Sequence, residues 1–188
     1  MNITAYNGSP RKNGNTQLII EKILESPSRK GINTGVVNLN ELNFKGCQAC
    51  YYCKSHNNQC ILKDDMQEVH KSVLSSDVLI FGSPVYMWQI TAQFKLFLDR
   101  LYNFYNLNAP SCVKDKKLIL VFTQGQLDAN MFMPYFEHFK KSLTFMGFDI
   151  IETLIVPGVR APGEAGNNEE LIKKACEIGE RLANNQYA

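Results

Sequence analysis

Four of the six cysteines in this chain of 188 residues fall within 14 positions, at Cys47, Cys50, Cys53 and Cys60. Three of them are separated by two residues each, and the fourth follows after six, so their thiolates can surround one small volume. Thiolates are ligands for soft metals such as zinc, although this run is more crowded than usual zinc spacing. The residues alone predict either a metal centre or a metal-free group of thiols that holds at most one disulfide.

A second segment with chemical potential covers residues 7–16, called the first loop here, and reads Asn-Gly-Ser-Pro-Arg-Lys-Asn-Gly-Asn-Thr. It places a turn rich in glycine and hydroxyl groups before a predicted helix, whose free N–H groups and dipole attract anions. The segment lacks both the dinucleotide pattern G-x-G-x-x-G and the P-loop pattern, which favours a monophosphate ligand. The alternative is a polar turn in which Asn15 or Thr16 only caps the helix.

These segments lie between short apolar runs and longer stretches of helical period. Continuous apolar runs predict strands that are covered on both faces, as in a parallel sheet. Their regular alternation with helices predicts a three-layer α/β/α fold. The predicted strands cover residues 3–6, 34–39, 78–81, 118–122 and 150–156, and the predicted helices cover 16–24, 66–74, 92–105, 135–145 and 169–182.

Residues 44–63, called the cysteine loop here, form the one long stretch without a period. They lie between the second predicted strand and the second predicted helix and contain the four clustered cysteines. A connection of this length inside a compact domain usually has a function. We therefore expect a single domain over residues 1–188 that carries this loop as its main excursion.

Composition excludes several classes of protein. Lys and Arg total 20 and Asp and Glu total 18, so a net charge of +2 gives no basis for binding nucleic acid or an anionic membrane. No apolar run approaches the ~18–20 residues of a membrane span. The first residues lack the pattern of a secretory signal, so we expect a cytoplasmic protein whose cysteines are thiols or metal ligands.

Three motifs in order along the chain carry a resemblance to a known family. Gly-Ser-Pro-Arg at 8–11 with Asn-Gly-Asn-Thr at 13–16, Gly-Ser-Pro-Val-Tyr at 82–86 and Thr-Gln-Gly at 123–125 each follow a predicted strand. Together they resemble the flavodoxin-like NAD(P)H-dependent FMN reductases. The cysteine loop resembles the compact motif of the iron–sulfur flavoproteins, a branch of that family. This resemblance agrees with the five-stranded parallel sheet in the order 2-1-3-4-5 that the regular alternation of elements and right-handed crossovers predict.

The resemblance also implies which residues would hold FMN. The phosphate would contact Ser9, Arg11, Asn13, Asn15 and Thr16. The isoalloxazine ring would be lined by Pro84, Val85, Tyr86, Met87 and Trp88, with Thr123, Gln124 and Gly125 opposite. Many relatives have small residues where this chain has Met-Trp-Gln at 87–89, so we expect different ring packing there.

By the same resemblance, NAD(P)H would reduce the flavin, which would pass electrons to a small acceptor such as a quinone, a nitroaromatic compound or free flavin. The four clustered cysteines would hold a [4Fe–4S] cluster, with zinc and a metal-free loop as alternatives. Two other classes of function remain open. One is an electron carrier that serves a redox partner protein without using nicotinamide, and the other is a metal-binding module without flavin.

The remaining expectations concern packing. The segment 88–107 has apolar and aromatic residues on more than one side of its predicted helix, which predicts a homodimer or higher oligomer. These residues are Phe94, Phe97, Leu98, Leu101, Tyr102, Phe104 and Tyr105. We expect Asp99 and Arg100 to form a structural pair or to be surface charges. We expect the scattered His56, His70 and His138 to be polar surface residues rather than ligands.

Overall fold

A computed structural model describes residues 1–106 and 109–187 of the chain. Five parallel strands form one sheet in the order β2-β1-β3-β4-β5, which confirms the expected order. The strands are β1 (Asn2–Asn7), β2 (Asn33–Asn38), β3 (Val78–Pro84), β4 (Lys117–Thr123) and β5 (Asp149–Val156).

Helices cover both faces of this sheet. They are α1 (Asn15–Arg29), the short α2 (Tyr52–Ser55), α3 (Met66–Ser75), α4 (Ala92–Arg100), α5 (Met133–Met146) and α6 (Glu169–Ala183). Two buried apolar clusters separate the layers. One contains Ile20 of α1 and Leu171 of α6, and the other contains Met66, Phe94 and Phe136 of α3, α4 and α5. The expected three-layer α/β/α architecture is therefore confirmed.

The apolar runs of β3 and β4 follow from their central position. All but one residue of each of these strands is buried, because helices cover both faces. The edge strand β2 is half-buried or exposed along its length. The carboxyl ends of all five strands meet at one edge of the sheet, where doubly wound folds bind ligands.

The fourth predicted helix ends earlier than its apolar pattern indicates. Helix α4 stops at Arg100, and a 3₁₀ turn over Leu101–Phe104 follows. At three residues per turn, this conformation directs both Leu101 and Phe104 into the core, where each is buried. Phe94 and Phe97 are also buried in this protein's own core, so four of the seven residues that support the homodimer are accounted for without it, and the homodimer stays a prediction.

Membrane insertion through a helix has no support in the described residues. None of the helices there is long and apolar enough to cross a bilayer.

The contact between α1 and α6 gives a direct test of the packing on one face. A Cβ atom at Gly179 would lie 2.3 Å from the backbone oxygen of Ile23, so Gly179→Ala must push the two helices apart. Despite a gain of about 1 kcal/mol in helix propensity, we expect the free energy of unfolding to fall by about 1–3 kcal/mol in urea denaturation.

Gly35→Ala is the matched control, since a Cβ there would meet nothing within 4 Å. It should change the free energy of unfolding by less than about 0.5 kcal/mol. A Gly179→Ala variant as stable as the wild type would contradict the close helix contact.

Candidate functional site

A cavity of about 200 Å³ opens at the carboxyl ends of β1, β3 and β4. Ten of the thirteen residues predicted for FMN line it: Ser9, Arg11, Asn15, Thr16, Pro84, Val85, Tyr86, Thr123, Gln124 and Gly125. The structure therefore brings all three sequence motifs to one place. Among the residues predicted for FMN, Asn13, Met87 and Trp88 do not line this cavity.

The start of α1 provides an anion site at this cavity. Gly14 precedes the helix, no side chain caps the first turn, and the first turn contains no acidic residue. Its N–H groups and the positive end of the helix dipole therefore remain available to a negatively charged ligand. Asn15 and Thr16, the first two helical residues, both line the cavity.

Buried hydroxyl groups join the first loop to the end of β4. The Oγ1 atoms of Thr16 and Thr123 lie 2.8 Å apart, and both residues are buried. This contact requires α1 to approach the sheet closely. Gly82 of β3 permits the approach, because a Cβ there would lie 2.9 Å from the Thr16 methyl carbon and 2.7 Å from Ile20.

Asn15 connects the helix start to the segment after β5. Its Nδ2 donates to the Ala161 carbonyl oxygen at 2.9 Å, and its Oδ1 accepts from the Ala165 N–H at 3.0 Å. The amide thus already bonds to backbone at both ends. Direct contact between Asn15 and a phosphate stays a prediction, while its structural role in closing this side of the cavity is clear from these bonds.

Sequence reasoning missed two residues of the cavity, Val159 and Arg160, which lie just after β5. The Arg160 Nε donates to the Gly125 carbonyl oxygen at 3.0 Å, which holds this side chain against the loop after β4. Arg11 Nη1 in turn donates to the Arg160 carbonyl oxygen at 2.5 Å. The predicted end of β5 could have indicated both residues, because β5 must end at the same edge of the sheet as the strands that carry the three motifs.

Met87 and Trp88 form an exposed turn beside the cavity. Both have positive φ angles, 45° and 68°, and Tyr86 and Gln89 close the turn through two backbone hydrogen bonds of 2.8 and 3.1 Å. The side chains of Met87 and Trp88 point outward, with 85% and 62% exposed. A left-handed conformation costs about 1–2 kcal/mol for each such residue, and this kind of strain concentrates at functional sites.

The cysteine loop lies apart from the cavity. Cys47 and Cys50 are exposed, Cys53 and Cys60 are half-buried, and none of the four lines the cavity. In the described ranges, no three side chains of His, Cys, Asp or Glu are grouped so that they could hold a metal ion. The structure thus places the four cysteines on one loop without assembling their sulfur atoms around a common centre.

Two cations face the thiol groups of this loop. The Arg100 guanidinium interacts with Cys60, and the Lys54 ammonium interacts electrostatically with Cys53 and Cys47. Lys54 is itself held in place by the Tyr102 and Tyr105 carbonyl oxygens, and Nζ lies 3.9 Å from the centre of the Tyr102 ring. Burial raises the pKa of the Cys53 thiol, and the Lys54 charge offsets only part of that rise. Cations beside thiols nevertheless favour thiolates, so the chemistry of this donor set fits an anionic metal–thiolate centre once the sulfur atoms converge.

Arg100 anchors the cysteine loop to α4. Its side chain is 1% exposed, and its two terminal nitrogens donate to both oxygens of Asp64 at 2.6 and 3.0 Å. Nη1 also donates to the Lys45 carbonyl oxygen at 2.8 Å, so one guanidinium fastens both ends of the loop. Of the two expectations for Asp99 and Arg100, the mutual pair is wrong. Asp99 is a surface charge that pairs with Lys95, one helical turn earlier.

His70 completes this buried network, so its expected surface position is wrong. Its Nε2 donates to the Arg100 carbonyl oxygen at 3.1 Å, because a carbonyl can only accept. Burial, assisted by the Arg100 charge, lowers the pKa of His70 to about 4. The imidazole is therefore neutral near pH 7, and protonating it in the folded state is costly.

This pKa predicts how stability changes with pH. Between pH 6.5 and 4 the unfolded state binds a proton at His70 and the folded state does not, so the free energy of unfolding falls as the pH is lowered through this range. We expect His70 to contribute about 2–3 kcal/mol to that fall.

Urea denaturation at several pH values measures this contribution. His70→Gln should flatten the pH dependence between 6.5 and 4, whereas His138→Gln, which changes an exposed histidine of α5, should leave it as in the wild type. Equal slopes in the wild type and His70→Gln would contradict the buried neutral state of His70.

A doubly wound sheet with an anion site at the first helix, onto which two further strand-end loops converge, defines a flavodoxin-like protein with a cavity for a phosphorylated ligand. The chain belongs to the NADPH-dependent FMN reductase family, whose sequence pattern matches residues 1–132. This confirms the family that the three motifs indicate.

Several relatives are iron–sulfur flavoproteins, the branch that the cysteine loop resembles. One from Methanocaldococcus jannaschii is 35% identical over 100 residues, which is 53% of this chain and 51% of that protein. One from Archaeoglobus fulgidus is 28% identical over 176 residues, which is 94% of this chain and 76% of that protein. The match to the first of these spans about half the length of the relative.

Solved structures with the same fold include two redox enzymes. An NAD(P)H:quinone oxidoreductase from Methanothermobacter marburgensis has a TM-score of 0.72 at 18% identity, with 97% of this chain and 96% of that chain covered. An FMN-dependent NADH-azoreductase from Bacillus anthracis, solved with FMN, has a TM-score of 0.70 at 15% identity, with 97% and 100% covered. At these identities the likeness supports the flavodoxin-like fold.

Proposed function

We propose that this protein is an FMN-dependent oxidoreductase that uses NAD(P)H to reduce a small acceptor such as a quinone, a nitroaromatic compound or free flavin. The observation that carries the proposal is the convergence of three strand-end loops on one cavity at the start of α1. Family membership supports FMN as the cofactor and reduction as the class of reaction.

The lining of the cavity fits a site in which the bound group supplies the chemistry. Within the described residues, the cavity contains no carboxylate, imidazole, thiol or amine side chain that could serve as a general acid or base at neutral pH. When bound, FMN would supply the transfer of a hydride equivalent between NAD(P)H and the acceptor. The protein would bind it, orient it and limit the access of water.

The residues present suggest how FMN is held. Ser9, Arg11 and the first N–H groups of α1 are suited to the phosphate, since hydroxyl, guanidinium and backbone donors all favour an anion. Tyr86 and the segment 123–125 offer an aromatic ring and a peptide edge for the isoalloxazine. A cavity of about 200 Å³ is smaller than the ~300–1,000 Å³ typical of ligand sites, so part of FMN would lie over the exposed turn.

Reduction of the bound flavin tests this function directly. Purified protein loaded with FMN is mixed with NADPH or NADH without oxygen, and the visible absorbance of the oxidised flavin is followed. We expect the absorbance to be lost with at least one nicotinamide nucleotide and restored when a quinone is added. Flavin that binds but stays oxidised with both nucleotides would exclude the reductase and favour an electron carrier.

A second candidate function, an electron carrier with a [4Fe–4S] cluster, is favoured by the cysteine loop. Four cysteines lie on one loop, with Arg100 and Lys54 facing their thiols. A cluster supplies one-electron transfer, which would let the protein serve a redox partner protein. The net charge of +2 argues against the acidic docking surface of a typical flavodoxin. A zinc site and a metal-free loop are the alternatives.

Iron analysis distinguishes these alternatives. Protein prepared without oxygen and reconstituted with iron and sulfide should contain about four iron atoms and four acid-labile sulfides for each chain, as a [4Fe–4S] cluster requires. Cys50→Ser should reduce both contents sharply while FMN binding, at a separate cavity, is retained. Wild-type protein with no more iron than Cys50→Ser would exclude the cluster, and stoichiometric zinc would indicate the alternative metal site.

A further inference from the structure

Two arginines from distant parts of the chain lie on the same small cavity. Arg11 belongs to the first loop, and Arg160 follows β5, 149 residues later. The two residues are in direct contact, because Arg11 Nη1 lies 2.5 Å from the Arg160 carbonyl oxygen. The two guanidinium groups can therefore reach one ligand placed at the start of α1.

Hydrogen bonds fix the positions of both arginines. Arg160 Nε donates to the Gly125 carbonyl oxygen at 3.0 Å, and its Cγ would lie 3.1 Å from a Cβ at Gly125. Arg11 Nη1 donates to the Arg160 carbonyl oxygen at 2.5 Å. These bonds use one nitrogen of each guanidinium. In the part of the chain that the structure describes, the other nitrogens have no protein acceptor within hydrogen-bonding distance.

Neither guanidinium is neutralised by a direct ion pair. Among the ion pairs of the described residues, neither Arg11 nor Arg160 takes part. Glu164, the nearest carboxylate in sequence, accepts hydrogen bonds from the backbone N–H groups of Arg160 and Ala161. That carboxylate therefore shapes the turn after β5. It interacts electrostatically with Arg160, but no contact with the guanidinium is short enough for an ion pair.

We propose that Arg160 and Arg11 together form a clamp for the phosphate group of a flavin mononucleotide. Guanidinium groups bind phosphate through paired, charge-assisted hydrogen bonds, and the uncapped start of α1 supplies further donors. The inference rests on the proposed function and deepens it. It assigns phosphate recognition to the segment after β5, in addition to the first loop.

A comparison of FMN with riboflavin tests this assignment, because riboflavin has the same ring and side chain without the phosphate. Flavin-free protein is titrated with each compound, and binding is followed by flavin fluorescence. Arg160→Gln should weaken FMN binding about 10- to 100-fold and riboflavin binding less than about 3-fold. Arg11→Ala should show the same pattern. Arg160→Lys keeps the charge but loses the paired donors of the guanidinium, so its FMN affinity should lie between those of Arg160→Gln and the wild type.

Arg29→Gln is the matched control for the loss of one positive charge. Arg29 lies at the opposite end of α1, about 20 Å from its start, and should leave both affinities unchanged. If Arg160→Gln weakens FMN and riboflavin equally, Arg160 only shapes the cavity and the clamp is wrong. If FMN affinity is unchanged while NADPH, but not NADH, reduces the flavin more slowly, Arg160 recognises the 2′-phosphate of NADPH and the clamp is likewise wrong.

The outcome also separates this inference from the proposed function. Wild-type protein that binds neither FMN nor riboflavin would overturn both. Wild-type protein that binds FMN tightly, with Arg160→Gln unchanged toward FMN, would overturn the clamp alone.

Discussion

The close approach of α1 to the sheet determines the geometry of the candidate site. Gly82 lets the helix pack against β3, and the hydroxyl contact of Thr16 with Thr123 then joins the helix start to the end of β4. Asn15 adds the segment after β5 through two backbone hydrogen bonds. The first turn of α1 thus contacts β3, the end of β4 and the segment after β5, and these surround its free N–H groups. A larger residue at position 82 would therefore disturb the core and the anion site together.

A second anchor, the buried pair of Arg100 and Asp64, controls the cysteine loop. Burying two charges is costly unless hydrogen bonds offset the loss of water, and here the terminal nitrogens of the guanidinium meet both carboxylate oxygens and the Lys45 carbonyl. The buried Arg100 Nε has no hydrogen-bond partner among the described residues. Although burial opposes it, hydrogen bonding from Arg100 lowers the pKa of Asp64 and keeps it charged. Removing either partner would leave an uncompensated charge, so the loop's attachment and the stability of the fold depend on the same pair.

The ten predicted residues that line the cavity followed from the donor groups of the first loop and from the resemblance of the three motifs to a known family. Local patterns in the sequence were sufficient for the sheet order, because apolar runs mark the strands and parallel strands end at one edge. They were insufficient for contacts between distant positions. The Arg100–Asp64 pair joins residues 36 apart, and His70 is buried only because α3 packs its Nε2 against the Arg100 carbonyl. Nothing in the residue types of Met87 and Trp88 indicates the left-handed turn that they form beside the cavity, and their contact with the FMN ring stays a prediction.

Helix α4 connects the two chemical regions of the molecule. At its start, Thr91 Oγ1 donates to the Gly8 carbonyl oxygen at 2.7 Å, and Phe94 packs where a side chain at Gly8 would lie. At its end, Arg100 holds the cysteine loop. Nine residues of helix span about 13 Å, so the first loop and the cysteine anchor are attached to one rigid element at a fixed separation. If the loop binds the proposed metal, a rearrangement that keeps Arg100 in place would leave the contacts at the start of α4 unchanged.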